Sequence, residues 1–310
     1  MRLQRFTPFS LRLRHRLVDY DRPVVMGIVN ATPDSFYAPS RSRDADAVKA
    51  RVETLVEAGA DMLDVGGYSS RPGAGSVGEQ EETDRLAIAL EALRSVAPDI
   101  PVSVDTFRAR VASVAVKELG ADIINDISAG SLDKDMIVTV AELGVPYVAM
   151  HMRGTPETMQ TLTDYGPGGV AAAVVSELSE TLRALALSGV ADVIVDPGFG
   201  FAKTVAQNYE LMDDLGELIN IVERPVLVGI SRKSMITRPL DITPEEALPA
   251  TTALHMAALL QGASILRVHD VAEARQAVEL AMMLDAKENN ITVLRASGID
   301  KISYLPEQLP

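Results

Sequence analysis

The sequence contains no cysteine and no tryptophan, and only 4% of its residues are aromatic. Without cysteine the chain can form neither a disulfide nor a thiolate metal site. It also lacks any run of about 18 consecutive apolar residues, the length a membrane-spanning helix requires. We therefore predict no membrane span, and we expect a cytoplasmic protein, with which the absence of cysteine agrees.

Positive charge is scarce as well, because 29 lysines and arginines face 43 aspartates and glutamates, for a formal net charge of −14. This balance argues against a surface that binds nucleic acid or an anionic membrane. A small anionic ligand remains compatible with it where positive side chains cluster. Near the N-terminus, the alternation in "LRLRHRLV" is typical of a strand rather than of a targeting helix.

The chain does have apolar material in abundance, since 47% of its 310 residues are hydrophobic. After Pro23, short runs rich in valine and isoleucine alternate with longer amphipathic segments. The eight strand candidates are "VVMGIV", "DMLDV", "PVSV", "DIIN", "PYVAM", "DVIV", "PVLVGI" and "SILRV". Helical spacing of three and four is seen at Val48, Val52, Leu55 and Val56, and again at Leu86, Leu90, Leu93 and Val96.

A glycine signature precedes alternate strands: "GAD" before Met62 and Ile123, "GVAD" before Val193 and "GAS" before Ile265. Glycine tolerates the left-handed conformation that ends many helices, so each signature predicts a helix end followed at once by a strand. Eight such units predict an α/β fold closed into a (β/α)8 TIM barrel, with an open doubly wound sheet as the alternative. We predict an N-terminal extension over 1–22 that packs against the other end of the barrel, the barrel over 23–286, and a polar C-terminal tail over 287–310.

Polar residues follow every strand candidate. They are Asn30, the loop from Gly66 to Arg71, Asp105, Asn125 with Asp126, His151, Asp196, Ser231 with Lys233, and Arg267 with His269. Each one alone is explained equally well as a helix cap or a structural histidine. Together they are harder to dismiss, because the carboxyl ends of barrel strands converge on one pocket.

These residues form two chemical sets. Asp105, Asn125 and Asp196 suit an uncharged ring that carries N–H and carbonyl groups. Lys233, Arg267, Arg71 and His269 form a positive set that could hold phosphate, helped by Ser69, Ser70 and the backbone of the glycine-rich loop. The predicted ligand therefore has a nitrogenous heterocycle at one end and phosphate at the other.

Eight stretches in one order resemble the dihydropteroate synthase family of folate biosynthesis. They are "MGIVNATPDSF", "GADMLDVGGYSSRPGA", "VSVDTFRARVA", "GADIINDISAG", "YVAMHMRGTPETMQ", "VDPGFGFAKT", "LVGISRKSMI" and "GASILRVHDV", and they cover residues 24 to about 285. The resemblance implies a (β/α)8 barrel and a homodimer, and a target of sulfonamides. It also implies that 6-hydroxymethyl-7,8-dihydropterin pyrophosphate is joined to para-aminobenzoate with release of pyrophosphate.

The resemblance also implies roles for individual residues. The pterin would contact Asp105, Asn125, Met150, Asp196 and Lys233. The pyrophosphate would contact Asn30, Ser70, Arg71, Arg267 and His269, and Mg2+ would bridge its oxygens to Asn30. The aminobenzoate pocket would be completed by Ser231 and by the loop from Thr32 to Arg41, including Pro33 and Phe36. The groups expected to act in catalysis are Asp105, Lys233, Arg267 and Asn30, through early departure of pyrophosphate.

Three stretches depart from the pattern common in that family. The first loop reads "TPDSFYAPS" where many members read "TPDSFSDGG", and Ala202 stands where glycine is common. In the second loop, Tyr68 and Ser70 replace the glutamate and threonine of "GGESTRPG". Competing interpretations are a catalytically silent pterin-binding protein, a methyltetrahydrofolate–corrinoid methyltransferase and a phosphate-binding barrel such as an aldolase. The joint presence of "SSRPG", "SRK" and "RVHD" argues against the methyltransferase, which has no pyrophosphate to hold.

Overall fold

A computed structural model describes residues 5–14, 16–31, 41–68 and 77–296, and the side chains of all of these except 41–44 and 285–296. Two short strands come first and eight more follow in alternation with helices. The strands are β1 Phe9–Leu13, β2 Arg16–Tyr20, β3 Val24–Asn30, β4 Met62–Gly66, β5 Val102–Asp105, β6 Ile123–Asp126, β7 Tyr147–Met150, β8 Val193–Asp196, β9 Leu227–Val228 and β10 Ile265–Val268. All eight strand candidates of the sequence are confirmed.

Helices connect the strands from β3 onward, so the chain is a succession of βα units. The helices are α1 Arg41–Glu57, α2 Glu79–Val96, α3 Ala109–Lys117, α4 Met136–Leu143, α5 Gly169–Leu187, α6 Val205–Asp213, α7 Leu215–Val222, α8 Ser234–Leu240, α9 Leu248–Leu259 and α10 Val271–Ala296. A short 3₁₀ turn, Met159–Thr161, precedes α5.

The eight strands β3–β10 form one parallel sheet in the order β8-β7-β6-β5-β4-β3-β10-β9. The two ends of this order meet, because Val195 of β8 pairs in parallel with Val226, next to β9. The backbone N–H of Val195 also donates to the carbonyl of Pro225 at 2.9 Å. The sheet is therefore a closed (β/α)8 barrel, and the open doubly wound alternative is wrong.

Alternation along the strands separates two apolar cores. Outward-facing residues such as Leu63, Val104 and Leu266 pack against the helices in the larger core. Inward-facing residues such as Met62, Ile123 and Ile265 fill the amino-terminal end of the barrel interior. Since successive strand residues face opposite sides, the inward positions nearer the carboxyl ends fall to polar side chains.

The glycine turns adopt the predicted conformation. Gly59, Gly120, Gly189 and Gly262 have φ values of 93°, 73°, 85° and 94°, and each lies between a helix and the strand that follows. A side chain is strained in this region, whereas glycine is not. The signature read from the sequence thus marks β4, β6, β8 and β10 for the expected physical reason.

The first two strands close the amino-terminal end of the barrel. They pair as an antiparallel hairpin, and Leu11 and Leu13 are buried against the inward-facing apolar residues of the barrel strands. Arg14 holds the hairpin in place through an ion pair with Asp122 at 2.6 Å. The backbone N–H of Arg12 donates to Asp192 at 2.8 Å. The strand pattern predicted near the N-terminus is confirmed.

Replacing Leu13 with alanine is expected to lower the free energy of unfolding by about 2–4 kcal/mol, because it opens a cavity in a closed apolar end. Leu17 provides the matched control, since 67% of its side chain is exposed. Leu17→Ala should change the free energy of unfolding by less than about 0.5 kcal/mol. Urea denaturation of the two variants makes the comparison, and equal values would show that the hairpin does not close the barrel.

Two expectations need amendment. Val56, counted on the apolar face of its helix, is 39% exposed, although Val48, Val52 and Leu55 are buried as predicted. The boundary predicted after residue 286 falls inside α10, which runs to Ala296; residues 297–310 lie outside the described part. Among the described helices, none is long and apolar enough to cross a membrane.

Candidate active site

The predicted site residues that are described lie at the carboxyl end of the barrel. Asn30 ends β3, Asp105 ends β5, Asn125 lies in β6, Met150 ends β7, Asp196 ends β8 and Arg267 lies in β10. Ser231 and Lys233 follow β9, and His269 follows β10. Pro33, Phe36, Ser70 and Arg71 lie outside the described residues, so their predicted roles stay predictions.

A buried aspartate that sequence reasoning missed lies at the base of this end. Asp64, in β4, is fully buried, and its Oδ2 accepts hydrogen bonds from Arg267 Nε at 2.7 Å and Asn125 Nδ2 at 3.2 Å. Arg267 Nη2 lies 2.6 Å from the same oxygen and 3.0 Å from Asp105 Oδ2. One carboxylate therefore joins a member of the ring set to a member of the phosphate set.

The acidic residues of the ring set are poorly solvated. Burial raises the pKa of Asp105 to about 7; Arg267 lowers this pKa and the Asp64 carboxylate raises it further. Burial also raises the pKa of Asp196, with Lys233 opposing it. Asp196 Oδ1 accepts the backbone N–H of Gly198 at 2.8 Å. A ring with N–H donors would supply the hydrogen bonds that water supplies elsewhere.

Lys233 follows β9, the strand next to β10, which carries Arg267. Its Nζ donates to the carbonyl of Phe199 at 2.6 Å and lies 4.6 Å from the centre of the Phe201 ring. Burial lowers its pKa to about 8, while Asp196 raises it. Lys233 is thus fixed by the loop after β8 and remains largely charged at neutral pH.

His269 does not carry the positive charge that the sequence interpretation gave it. Burial lowers its pKa to about 4, and Arg267 lowers it further, so the imidazole is neutral at neutral pH. Its Nδ1 lies 3.1 Å from Ser231 Oγ, and its backbone N–H donates to the same oxygen at 3.3 Å. Ser231, which is predicted to contact the aminobenzoate, therefore lies against His269, which is predicted to contact the pyrophosphate.

Two other polar residues at strand exits have structural partners. Asp126 accepts hydrogen bonds from the backbone N–H groups of Ser128 and Gly130 and from the Tyr147 hydroxyl. His151 contacts Glu177 at 3.0 Å and Lys203 at 3.0 Å. Taken alone, each strand-exit residue could be explained by a structural role. For Asp126 that explanation applies.

Met150 forms an apolar part of the site wall. Only 4% of it is exposed, and it belongs to a small cluster with Ile127, Met152, Met159 and Ala202. Phe107 and Phe201 pack against this cluster. An apolar surface beside Asp105 and Asp196 suits the face of a planar heterocycle.

The residues present are compatible with Mg2+ that is bound mainly through the phosphate oxygens of a substrate. Among the described residues, no group of three or more histidines, aspartates or glutamates could hold a metal ion. Asp64 and Asp105 are engaged by Arg267. Asn30, exposed at the end of β3, offers one hard oxygen, and Mg2+ is commonly held by one or two protein ligands together with phosphate oxygens and water.

The departures at Tyr68 and Ala202 both have a structural account. Tyr68 meets Phe107 edge to face, with ring centres 5.3 Å apart, and the Arg108 guanidinium lies 5.4 Å from its ring centre. Arg108 is bonded to Glu82, so an aromatic residue covers this ion pair. Ala202 has a φ of 50°, the left-handed region in which glycine is unstrained, which explains the preference for glycine at this position.

The carboxyl end of this barrel gathers acidic and amide side chains beside the cationic side chains of Arg267 and Lys233, and this end carries the active site in enzymes of the barrel class. A family model described as pterin binding enzyme matches residues 26–269. The chain therefore belongs to the family of pterin-binding enzymes.

Individual relatives narrow the family. Dihydropteroate synthase of Synechocystis is 40% identical over 287 residues, covering 90% of this chain and 96% of that protein. The mitochondrial folate synthesis bifunctional protein of Arabidopsis thaliana is 43% identical over 279 residues, which are 84% of this chain. The chain spans about half, 49%, of that longer protein.

Solved structures agree with these relatives. Dihydropteroate synthase of Xanthomonas albilineans, solved with 4-aminobenzoic acid, superposes with a TM-score of 0.81 at 38% identity, covering 90% of this chain and 99% of that one. The Yersinia pestis enzyme, solved with a sulfonamide drug complex, gives a TM-score of 0.82 at 36% identity, covering 90% and 100%. Within its family, the chain is a dihydropteroate synthase.

Proposed function

We propose that this enzyme condenses 6-hydroxymethyl-7,8-dihydropterin pyrophosphate with para-aminobenzoate to give 7,8-dihydropteroate and pyrophosphate. The observation that carries the proposal is the cluster of Asp64, Arg267, Asp105 and Asn125 at the carboxyl end of the barrel. It brings ring-recognising acceptors and a cation within hydrogen-bond distance of one another. Family membership supports the same reaction.

The ring end would be formed by Asp105, Asn125, Asp196, Lys233 and Met150. Carboxylates that accept adjacent N–H groups give strong and directional recognition. The Asn125 amide and the Lys233 ammonium add donors for ring nitrogen and carbonyl groups. Desolvation of Asp105 and Asp196 in the free protein makes the gain on binding such a ring large.

The phosphate end would be formed by Asn30, Ser70, Arg71, Arg267 and His269. Arg267 offers a planar guanidinium, and Asp64 already accepts hydrogen bonds from one edge of it. His269, neutral in the free protein, would donate a hydrogen bond rather than a full charge. The resident charge at this end therefore rests on the two arginines.

In the reaction, the bond between the methylene carbon and the pyrophosphate oxygen breaks, and its electron pair leaves with pyrophosphate. The amine of para-aminobenzoate forms the new C–N bond and then loses a proton to solvent. Early bond breaking is favoured because Arg71, Arg267 and His269 stabilise the leaving group. The carboxylates of Asp105 and Asp196 favour the cationic dihydropterin left behind. Bound Mg2+, held through Asn30, would add neutralising charge to the pyrophosphate.

The aminobenzoate would lie against Ser231, Pro33 and Phe36. Since the Xanthomonas and Yersinia enzymes are described with 4-aminobenzoic acid and a sulfonamide drug respectively, we infer that a sulfonamide competes with para-aminobenzoate here. We also infer that the enzyme acts as a homodimer, as its sequence resemblance implies, and that it acts in the cytoplasm, with which the absence of cysteine agrees.

One assay tests the reaction. The protein is incubated with dihydropterin pyrophosphate, para-aminobenzoate and Mg2+, and both products are quantified. Dihydropteroate and pyrophosphate should form in equal amounts. Pterin binding without product would identify a catalytically silent protein instead. Methyl transfer from methyltetrahydrofolate to a corrinoid protein would identify the methyltransferase.

Pterin affinity is expected to fall as the pH falls through about 7, because the pKa of Asp105 is raised to about 7 and only its ionised form accepts two N–H bonds. Below that pH, the dissociation constant should rise by about tenfold per pH unit. Titration calorimetry with 6-hydroxymethylpterin, repeated at pH values from about 5.5 to about 8.5, measures how the dissociation constant depends on pH. In Asp105→Asn this dependence should disappear, and a slope that persists there would point to Lys203 or Lys233.

A further inference from the structure

The loop between β8 and α6, residues 197–203, has an unusual backbone. Gly198, Gly200 and Ala202 have φ values of 71°, 83° and 50°. Because every second residue is left-handed, successive peptide groups point in opposite directions. Their N–H and C=O groups therefore cannot join the regular hydrogen-bond pattern of a helix or a sheet. Within the loop, the N–H of Phe201 donates to the carbonyl of Gly198 at 3.1 Å, and side chains provide further hydrogen bonds.

Side chains satisfy these peptide groups one by one. Asp196 accepts the N–H of Gly198 at 2.8 Å and Asn208 accepts that of Gly200 at 2.6 Å. Tyr165 donates to the carbonyl of Ala202 at 2.9 Å. Lys233, of the proposed ring site, donates to the carbonyl of Phe199 at 2.6 Å. The loop thus connects two residues proposed to bind the pterin.

Lys203 donates further hydrogen bonds to the loop. Only 4% of it is exposed, and its Nζ donates to the carbonyls of Gly198 at 2.9 Å and Phe201 at 3.1 Å. Its third contact is His151 Nδ1 at 3.0 Å. An ammonium has three donors, and all three are used here.

The contact with His151 extends the network to the protein surface. Because Nδ1 accepts from Lys203, the imidazole carries its proton on Nε2 and donates it to Glu177 Oε2 at 3.0 Å. Glu177 is 38% exposed and is also paired with Arg153. Burial lowers the pKa of Lys203 to about 7, so keeping an amine at this place costs folding free energy that an apolar side chain would not.

We propose that Lys203 is a positioning residue of this enzyme, which fixes the loop 197–203 so that the carbonyl of Phe199 holds Lys233 in the ring site. The three donors of the Lys203 amine are all used within the protein, so none is left for a substrate. Lys203 acts through the carbonyls of Gly198, just before Phe199, and of Phe201, two residues after it, and the contact with His151, which is bonded to Glu177, orients its amine. The inference rests on the proposed role of Lys233 in binding the pterin.

The test variant is Lys203→Met, which keeps the length and apolar stem of the side chain and removes the three donors. The KM for dihydropterin pyrophosphate and the dissociation constant of 6-hydroxymethylpterin should each rise about tenfold or more. The KM for para-aminobenzoate should stay within about twofold of wild type, since the loop supports the ring end alone. Amide hydrogen exchange should rise at Gly198 and Gly200 but not in the remainder of the barrel. The control is Lys117→Met at an exposed position on α3, which should change none of these values.

Unchanged pterin affinity in folded Lys203→Met would overturn the proposal, as would equal losses for both substrates with faster exchange throughout the barrel. If Lys203→Met does not fold, Glu177→Gln decides, because its position is partly exposed. It should raise exchange at Gly198 and weaken pterin binding by about threefold, and no change in either would count against Lys203. Wild-type protein that binds no pterin would defeat the proposed function, while the exchange data would still report whether Lys203 fixes the loop.

Discussion

Asp105→Ala is expected to weaken pterin binding by about a hundredfold or more, because two charge-assisted hydrogen bonds at about 1.5–3 kcal/mol each are lost together. Pyrophosphate binding should be unchanged or tighter, since Arg267 keeps Asp64 as a partner and loses the competing carboxylate. Calorimetry with 6-hydroxymethylpterin and with pyrophosphate, taken separately, measures this division.

Asp105→Asn is the companion variant, with the same shape but no charge. Its amide presents an oxygen to one ring donor and an N–H group to the other, so it should lose nearly as much pterin affinity as Asp105→Ala. If both variants weakened pterin and pyrophosphate equally, the separation into a ring end and a phosphate end would be wrong.

Asp64→Asn should have the second large effect, and on two quantities. The free energy of unfolding should fall by about 3 kcal/mol, because the variant removes the fully buried charge of an ion pair and leaves Arg267 without it. The KM for dihydropterin pyrophosphate should rise at the same time, since the acceptor that orients Arg267 and Asn125 changes from a charged carboxylate oxygen to a neutral amide group.

Glu81→Gln is the control for that stability measurement. Glu81 pairs with Arg85 on the surface of α2, and 57% of its side chain is exposed. Exposed pairs of this kind contribute about 0.5 kcal/mol or less. A loss in Asp64→Asn no greater than in Glu81→Gln would mean that Asp64 is not a buried anchor of the site.

The barrel could be predicted from the sequence because its signals are local. Each strand is a short valine- and isoleucine-rich run, and each glycine at 59, 120, 189 and 262 marks a left-handed turn that one residue type favours. The convergence of strand exits then follows from closure of the sheet, so Asp105, Asn125 and Asp196 were found without knowledge of their contacts.

The remaining site features depend on packing that no local pattern records. Asp64 lies within an apolar run and was interpreted as part of a strand, although a lone acid facing the barrel interior was the available signal. Lys203 ends a glycine-rich stretch and has no periodic neighbour. The neutral state of His269 comes from burial and from Arg267, and burial is known only once the barrel has closed.

The hairpin of β1 and β2 has a consequence for the order in which the chain folds. Its leucines pack against residues contributed by β3, β4, β6, β7, β8, β9 and β10. This surface exists only when strands from both halves of the sequence stand side by side, and forming such long-range contacts is slow. Although the hairpin precedes the barrel strands along the chain, it can dock only after β10, the last of those strands, has joined the sheet. Protection of its amides in a refolding experiment would therefore time the completion of the whole barrel.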